Sequence, residues 1–281
     1  MEEIIYLNGS LLPQTQAKIS PYDYGFLYGY GLFETMRAYS GRIFRLERHL
    51  ERLALSAKLI GLPLGGFDLE KACYDTMKAN NLKDARIRLT ASIGKGGGTP
   101  DLPSQPVPTV LIVARSFRPI SVEKYEKGYR SKISSVRRNS QSPLCRLKSL
   151  NYLDNILARR EAKVAGADEA LLLNERGFLC EGSTSNIFLV SGGKLLTPDG
   201  ESGILPGITR EEVMQLAQEI GIEVVEREII LEDLLQADEA FLTNSIIEIM
   251  PLIEVDDKAI GGGVMGGVTE KLMAAYEDLV G

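Results

Sequence analysis

Imidazole is almost absent from this 281-residue chain, which has one histidine, His49, and no tryptophan. A zinc centre built on several histidines, or on paired cysteines and histidines, cannot be assembled from that inventory. A Ser-His-Asp hydrolase would have to rely on His49 alone. Cysteine is scarce as well: Cys73, Cys145 and Cys180 stand far apart, with no Cys-x-x-Cys spacing. An odd, sparse set in a chain this long fits a reducing compartment better than a disulfide scaffold. An excess of basic charge is also missing. The 32 Lys and Arg residues face 38 Asp and Glu, a formal charge of −6, which argues against a nucleic-acid binder. The most apolar run, Val110 to Ala114, is far too short to cross a bilayer. The start, Met1-Glu2-Glu3-Ile4, lacks the basic-then-apolar order of a signal peptide. The expectation is a soluble, cytoplasmic protein with no bound metal, no membrane partner and no nucleic-acid partner.

What is present is a chain long enough for one large domain or two ordinary ones, with no internal repeat. Tyr6 to Leu12 reads as strand, Asn-Gly turn, strand. Leu46, Leu50, Leu53, Ala57 and Ile60 repeat at helical spacing and stop at Gly61 and Pro63. Arg86 to Ile93 and Thr109 to Ala114 read as strands, joined by a long glycine- and proline-rich loop that lacks the order of a nucleotide P-loop. A boundary falls near Arg118-Pro119. The division expected is a smaller N-terminal α/β domain over 1–118, a linker over 119–126 and a larger domain over 127–281. In that larger part, Ser149 to Ala165 reads as a helix with Leu150, Leu153, Leu157 and Val164 on one side. Strands are expected at Glu169–Leu173, Asn186–Val190 and Glu239–Thr243, with helices near Thr209–Ile220 and Glu232–Gln236. The mixture predicts two α/β or α+β domains.

Four segments carry more chemistry than packing requires. Lys148 and Tyr152 stand four apart at an expected helix start, which would put them on one face. A lysine amine can form a Schiff base with an aldehyde, and a nearby phenol can hydrogen-bond the ring oxygen of pyridoxal phosphate. Glu181, beside Gly182-Ser183-Thr184-Ser185-Asn186, could keep a pyridinium nitrogen protonated. Thr209 and Glu212 have the spacing of a capping box. The backbone N–H groups of Gly207, Ile208 and Thr209 would then open a helix, a natural phosphate site. Leu242-Thr243-Asn244-Ser245 ends a strand in hydroxyl and backbone donors. Taken singly, each segment has a plainer reading: a solvated lysine, a polar loop, an ordinary helix cap, a polar strand exit.

Taken together and in this order, from Tyr6 to about Pro251, they resemble the class IV, or fold type IV, pyridoxal-phosphate enzymes. Those are the branched-chain aminotransferases, D-amino-acid aminotransferases, R-selective amine transaminases and aminodeoxychorismate lyases. The first half takes part too. Gly31 to Arg37 is similar to the family's Gly-x-Phe-Glu-x-x-Arg strand, and His49 to Ala57 to its His-x-x-Arg-Leu-x-x-Ser-Ala helix.

The resemblance implies the two-domain fold type IV architecture with pyridoxal 5'-phosphate at the domain interface. It implies Lys148 as the Schiff-base lysine, Glu181 at the pyridine nitrogen and Arg52 as the cationic phosphate ligand. Tyr152 would touch the ring oxygen, Leu205 would pack on the ring, and Gly207, Ile208, Thr209 and Ser245 would contact phosphate. Tyr28, Phe33, Arg37, Arg86, Arg88, Ser245 and Ile246 are the expected substrate residues. His49 is expected to be structural. A homodimer is implied as well.

Substrate choice is less plainly written. Tyr152 and the stretch Gly31 to Tyr39 are similar to branched-chain enzymes, whereas Asn244-Ser245 is similar to aminodeoxychorismate lyases. Arg86 stands where branched-chain enzymes usually carry tyrosine. In a strand it shares a face with Arg88, so the two could bind a second carboxylate or form a salt-bridged surface pair. The leading expectation is transfer of an amino group from a branched-chain or related amino acid to 2-oxoglutarate. Behind it stand a lyase forming 4-aminobenzoate and pyruvate, a D-amino-acid or R-amine transaminase, and a non-catalytic cofactor- or phosphate-binding protein.

Overall fold

In the computed structural model, which describes residues 2–281, Asn8 and Gly9 both adopt left-handed backbone (φ 49° and 94°). That turn reverses β1 (Ile4–Leu7) into β2 (Ser10–Pro13). The first unit comprises the residues up to Arg118 together with Leu147–Asn151. After the short helix α1 (Tyr24–Tyr28) come β3 (Gly31–Tyr39) and β4 (Arg42–Ile43), then helices α2 (Leu46–Leu59) and α3 (Leu69–Ala79). The strands β5 (Ala85–Ser92) and β6 (Thr109–Ser116) complete a six-stranded sheet in the order β2-β1-β6-β5-β3-β4.

Alternation decides which face of this sheet makes the core. Ala85, Ile87, Leu89 and Ala91 of β5, with Val110, Ile112 and Ala114 of β6, are buried. They form one cluster with Leu46, Leu53 and Ala57 of α2 and Ala72, Cys73 and Met77 of α3. Arg86, Arg88 and Thr90 point the other way.

The second unit is Pro119–Arg146 with Tyr152–Gly281. It begins with α4 (Val122–Lys127), which overlaps the stretch 119–126 expected to be a linker. The stretch is anchored rather than slack: Lys124 pairs with Asp168 at 2.6 Å, and the Tyr125 hydroxyl donates to Ile247 O at 3.2 Å. The helices α5 (Leu153–Val164), α6 (Ile208–Glu219), α7 (Leu231–Leu235) and α8 (Gly267–Val280) accompany a nine-stranded sheet. Its strands are β7 (Tyr129–Arg138), β8 (Glu169–Asn174), β9 (Leu179–Gly182), β10 (Asn186–Ser191), β11 (Lys194–Pro198), β12 (Val224–Arg227), β13 (Glu239–Asn244), β14 (Glu248–Val255) and β15 (Lys258–Ala259). The order is β12-β11-β10-β13-β14-β7-β8-β9, with β15 beside β14. Among the described residues, no helix is long and apolar enough to cross a membrane.

Two sequence expectations are corrected around residue 150. The helix expected from Ser149 starts at Leu153, with Tyr152 as its N-cap. The preceding residues cannot be helical because β3 takes their backbone groups. Phe33 N donates to Lys148 O at 2.8 Å and Leu150 N donates to Gly31 O at 2.9 Å. Lys148 and Tyr152 therefore do not share a helix face. The leucine side of α5 is not its buried side either. Leu153, Leu157 and Val164 are exposed, while Asn155, Ala158 and Ala162 are buried. The two alanines let the helix lie close to Ala170 and Leu172 of β8.

Candidate functional site

Within the first unit, β3 delivers two neighbouring side chains, Phe33 and Glu34, to opposite faces of the sheet. Phe33 lies beside Lys148, whose Nζ is 4.7 Å from the centre of its ring, and Arg88 Cζ is 3.9 Å from the same centre. Next to Phe33, Glu34 is 1% exposed and gathers two partners from α2. Arg52 donates from Nε at 2.8 Å and from Nη2 at 2.6 Å, and His49 Nδ1 lies 2.8 Å away. Burial alone would raise the Glu34 carboxyl. The Arg52 charge and the hydrogen bonds of His49 and Arg52 outweigh it and bring the pKa down to about 2. Burial pushes the His49 pKa down, opposed by its contact with Glu34 and reinforced by the charges of Arg52 and Lys148. The single imidazole thus serves as a buried support for Glu34.

The spacing of α2 explains the pairing, since His49 and Arg52 are three apart and lie on adjoining positions of one helical face. Tyr28, at the end of α1, donates to Gly98 O at 2.7 Å. Arg37 is nearly buried and packed between the rings of Tyr39 and Phe117, at 4.4 and 4.3 Å. Arg86 lies across from it on β5. The first unit thus brings Phe33, Arg88 and Lys148 together and sets Arg37 and Arg86 farther along the sheet.

Within the second unit, Glu181 sits on β9 with both carboxylate oxygens engaged. One accepts from Arg138 Nη2 and the other from Leu205 N at 2.9 Å. Arg138 Nη1 reaches Asn155 Oδ1 at 3.4 Å, and Asn155 Nδ2 donates to Ser183 O at 2.8 Å. The Tyr152 hydroxyl donates to the same carbonyl at 3.1 Å. Glu169, 1% exposed, gathers the loop after Glu181: Ser183 Oγ, Thr184 Oγ1 at 2.8 Å and Ser185 Oγ at 3.4 Å all donate to it. Asn244 ties in the next segment. Its Nδ2 donates to Thr184 O at 2.9 Å, and its Oδ1 accepts from Ile246 N and Ile247 N, each at 2.8 Å. Ser245 and Ile246 ride on that turn.

The start of α6 differs from the capping box expected at Thr209 and Glu212. Gly207 is the N-cap, no side chain caps it, and Thr209 is buried as the second residue of the helix. The chain enters the helix two residues earlier than the box requires. A Cβ on Gly207 would stand 1.9 Å from Asn186 Oδ1, and Asn186 Nδ2 holds Leu205 O at 2.9 Å. Gly207, Ile208 and Thr209 thereby present helix N–H groups that no side chain caps, a setting that suits an anion.

Sequence reasoning missed Arg138, Asn155 and Glu169, and left Glu34 without a role. Glu34 had a signal, its place in the quoted strand motif. The others had none, because each is defined by a partner distant in the chain. Among the described residues no cluster of His, Cys, Asp and Glu is arranged for a metal ion. The thiols are not poised for nucleophilic work. Burial raises Cys73 to about 12 and pushes Cys145 and Cys180 up as well.

Comparison with known proteins adds to this geometry. A family model described as amino-transferase class IV matches residues 31–255. A protein of Methanocaldococcus jannaschii, provisionally named a branched-chain-amino-acid aminotransferase, is 42% identical over 278 residues, 98% of this chain and 96% of that one. The aminodeoxychorismate lyase of Bacillus subtilis is 37% identical over 278 residues, 98% of this chain and 94% of its own. The branched-chain amino acid aminotransferase of Thermobaculum terrenum, solved in its PLP-bound holo form, superposes with a TM-score of 0.88 at 33% identity. That match covers 99% of this chain and 94% of the other.

Proposed function

The chain belongs to the class IV amino-transferase family and is a pyridoxal-phosphate-dependent transaminase, and from that premise we propose that it moves the amino group of a branched-chain or related amino acid to 2-oxoglutarate, with Lys148 as the cofactor-bearing lysine. The observation that carries this reading is the setting of Lys148. Its backbone is pinned to β3 and its amine lies over Phe33 beside Arg88.

The side chains present fit pyridoxal 5'-phosphate. The uncapped start of α6, cleared by the absence of a Cβ at Gly207, suits a phosphate dianion. When bound, the cofactor supplies an aldehyde that captures amines and a ring that accepts the electron pair left behind by the departing proton. The protein does the rest. Lys148 Nζ would take the proton from the substrate α-carbon and deliver it to the former aldehyde carbon within the same half-reaction, the second half-reaction running that transfer in reverse. Arg52 supplies charge to the phosphate, its plane set by the Glu34 fork. Gly207, Ile208 and Thr209 add backbone donors, and Ser245 a hydroxyl. Glu181, oriented by Arg138 and Leu205 N, would hold the pyridine nitrogen protonated. Tyr152 would hydrogen-bond the ring oxygen and Leu205 would pack on the ring. Tyr28, Phe33, Arg37, Arg86, Arg88 and Ile246 shape the substrate end. The chain works as a cytoplasmic homodimer, a reading supported by the exposed apolar side of α5 with Leu153, Ile156, Leu157 and Val164.

The test is direct. Purified protein with leucine and 2-oxoglutarate is expected to yield glutamate, and Lys148→Ala to lower turnover by about 10³-fold or more with loss of the bound cofactor's visible absorbance. Full activity in that variant would sink the assignment. A second reading, a lyase releasing 4-aminobenzoate and pyruvate from aminodeoxychorismate, is favoured by the Bacillus subtilis relative and by the Asn244-Ser245 pair. Formation of 4-aminobenzoate with no glutamate from leucine would put that reading first.

A further inference from the structure

Antiparallel register places Arg37 of β3, Arg86 of β5 and Arg115 of β6 directly abreast. Residues opposite one another in such a sheet share a face, with Cα atoms about 5 Å apart. The next row on that face is Thr35, Arg88 and Val113, and the one beyond is Phe33, Thr90 and Leu111. The face therefore runs from the Phe33 and Lys148 end, past Arg88, to a row of three arginines. The opposite face of the same strands is spent on the core with α2 and α3.

Like charges directly opposite in a sheet repel, so a row of three guanidiniums needs a reason. Arg115 is offset by Glu3, which accepts from it at 2.8 and 3.1 Å. Arg37 is held in a fixed plane between Tyr39 and Phe117. Arg86, in the middle, is exposed and makes no ion pair with any described residue. An anion bridging Arg86 and Arg37 would remove the repulsion that the register imposes.

We infer that Arg86, with Arg37 beside it, forms a distal anion site that admits amino and 2-oxo acids whose second carboxylate lies on a longer chain than that of 2-oxoglutarate. This rests on the aminotransferase reading above and extends its substrate class. Arg88 leans back over Phe33 and serves the near end. Arg86 is anchored about 7 Å farther along the strand. One or two additional methylenes move a terminal carboxylate part of the way from Arg88 towards Arg86, and the long, exposed Arg86 side chain closes the remaining distance so that its guanidinium fork binds in two-point fashion. Tyrosine at this position would offer a single hydroxyl and no charge.

The experiment uses the holoenzyme, leucine as donor and three acceptors: 3-methyl-2-oxobutanoate, 2-oxoglutarate and 2-oxoadipate. The quantity read is kcat/KM for 2-oxoadipate divided by that for 3-methyl-2-oxobutanoate. Arg86→Gln is expected to lower this ratio about tenfold, chiefly through KM, and Arg86→Lys to recover most of it. Lys78→Gln, at an exposed lysine of α3, controls for bulk charge and leaves the ratio unchanged. As a reading independent of turnover, adipate is expected to raise the melting temperature of the wild-type protein more than that of Arg86→Gln, with hexanoate raising neither. The inference is overturned if the ratio survives Arg86→Gln, or if the wild type uses 3-methyl-2-oxobutanoate but rejects 2-oxoadipate. Failure with all three acceptors overturns the branched-chain reading instead.

Discussion

Glu34 is the residue on which the first unit's chemistry turns, although it touches no expected substrate position. A carboxylate at 1% exposure survives as an anion only because Arg52 and His49 surround it. Its pKa of about 2 in the fold lies below the ordinary 4.5. A depressed carboxyl contributes stability that is present above the unfolded pKa and lost as pH falls through the folded one. The difference corresponds to about 3 kcal/mol for a group this buried. Glu34→Gln is therefore expected to lower the melting temperature at pH 7 and to flatten its dependence between about pH 4.5 and pH 2. It should also weaken cofactor retention by releasing the Arg52 fork. Thermal melts across that pH range and titration of the apoprotein with pyridoxal 5'-phosphate measure both. An unchanged acid limb would show that the Glu34 cluster carries no net stability.

Among elements, the start of α6 is the one most dependent on a single missing atom. Gly207 takes an ordinary extended backbone (φ −80°), so alanine would meet no backbone strain there. The obstacle is steric: its Cβ would fall 1.9 Å from Asn186 Oδ1, and Asn186 also anchors Leu205. Gly207→Ala is expected to displace the helix entrance and weaken binding of pyridoxal 5'-phosphate by about tenfold or more. Binding of pyridoxal, which lacks the phosphate, should fall much less. Equal losses for the two ligands, measured by equilibrium titration, would remove the phosphate role from this helix. The extended stretch Leu147–Asn151 makes a related point. Its residues read as a helix start in sequence, and only their hydrogen bonds to β3 make them extended.

At the scale of the molecule, the exposed apolar side of α5 predicts self-association. Sedimentation or light scattering is expected to give twice the chain mass, and Leu157→Asp to shift the population towards monomer. A wild-type monomer at micromolar concentration would contradict the homodimer. Local signals carried far: the Asn-Gly hairpin, the period of α2 and the β5 and β6 strands could all be read from neighbours in the chain, whereas the helix starts after Lys148 and at Gly207 could not. Long-range pairing could not. That Arg138 would meet Glu181, that Glu169 would gather three hydroxyls, and that three arginines would line up across β3, β5 and β6 depend on strand register between segments tens of residues apart. The sequence by itself determined the residue types and the short periods that build each element. Only the tertiary structure decided which side chains share a face and which charges stand side by side, because register and packing are set by the whole core and not by any one segment.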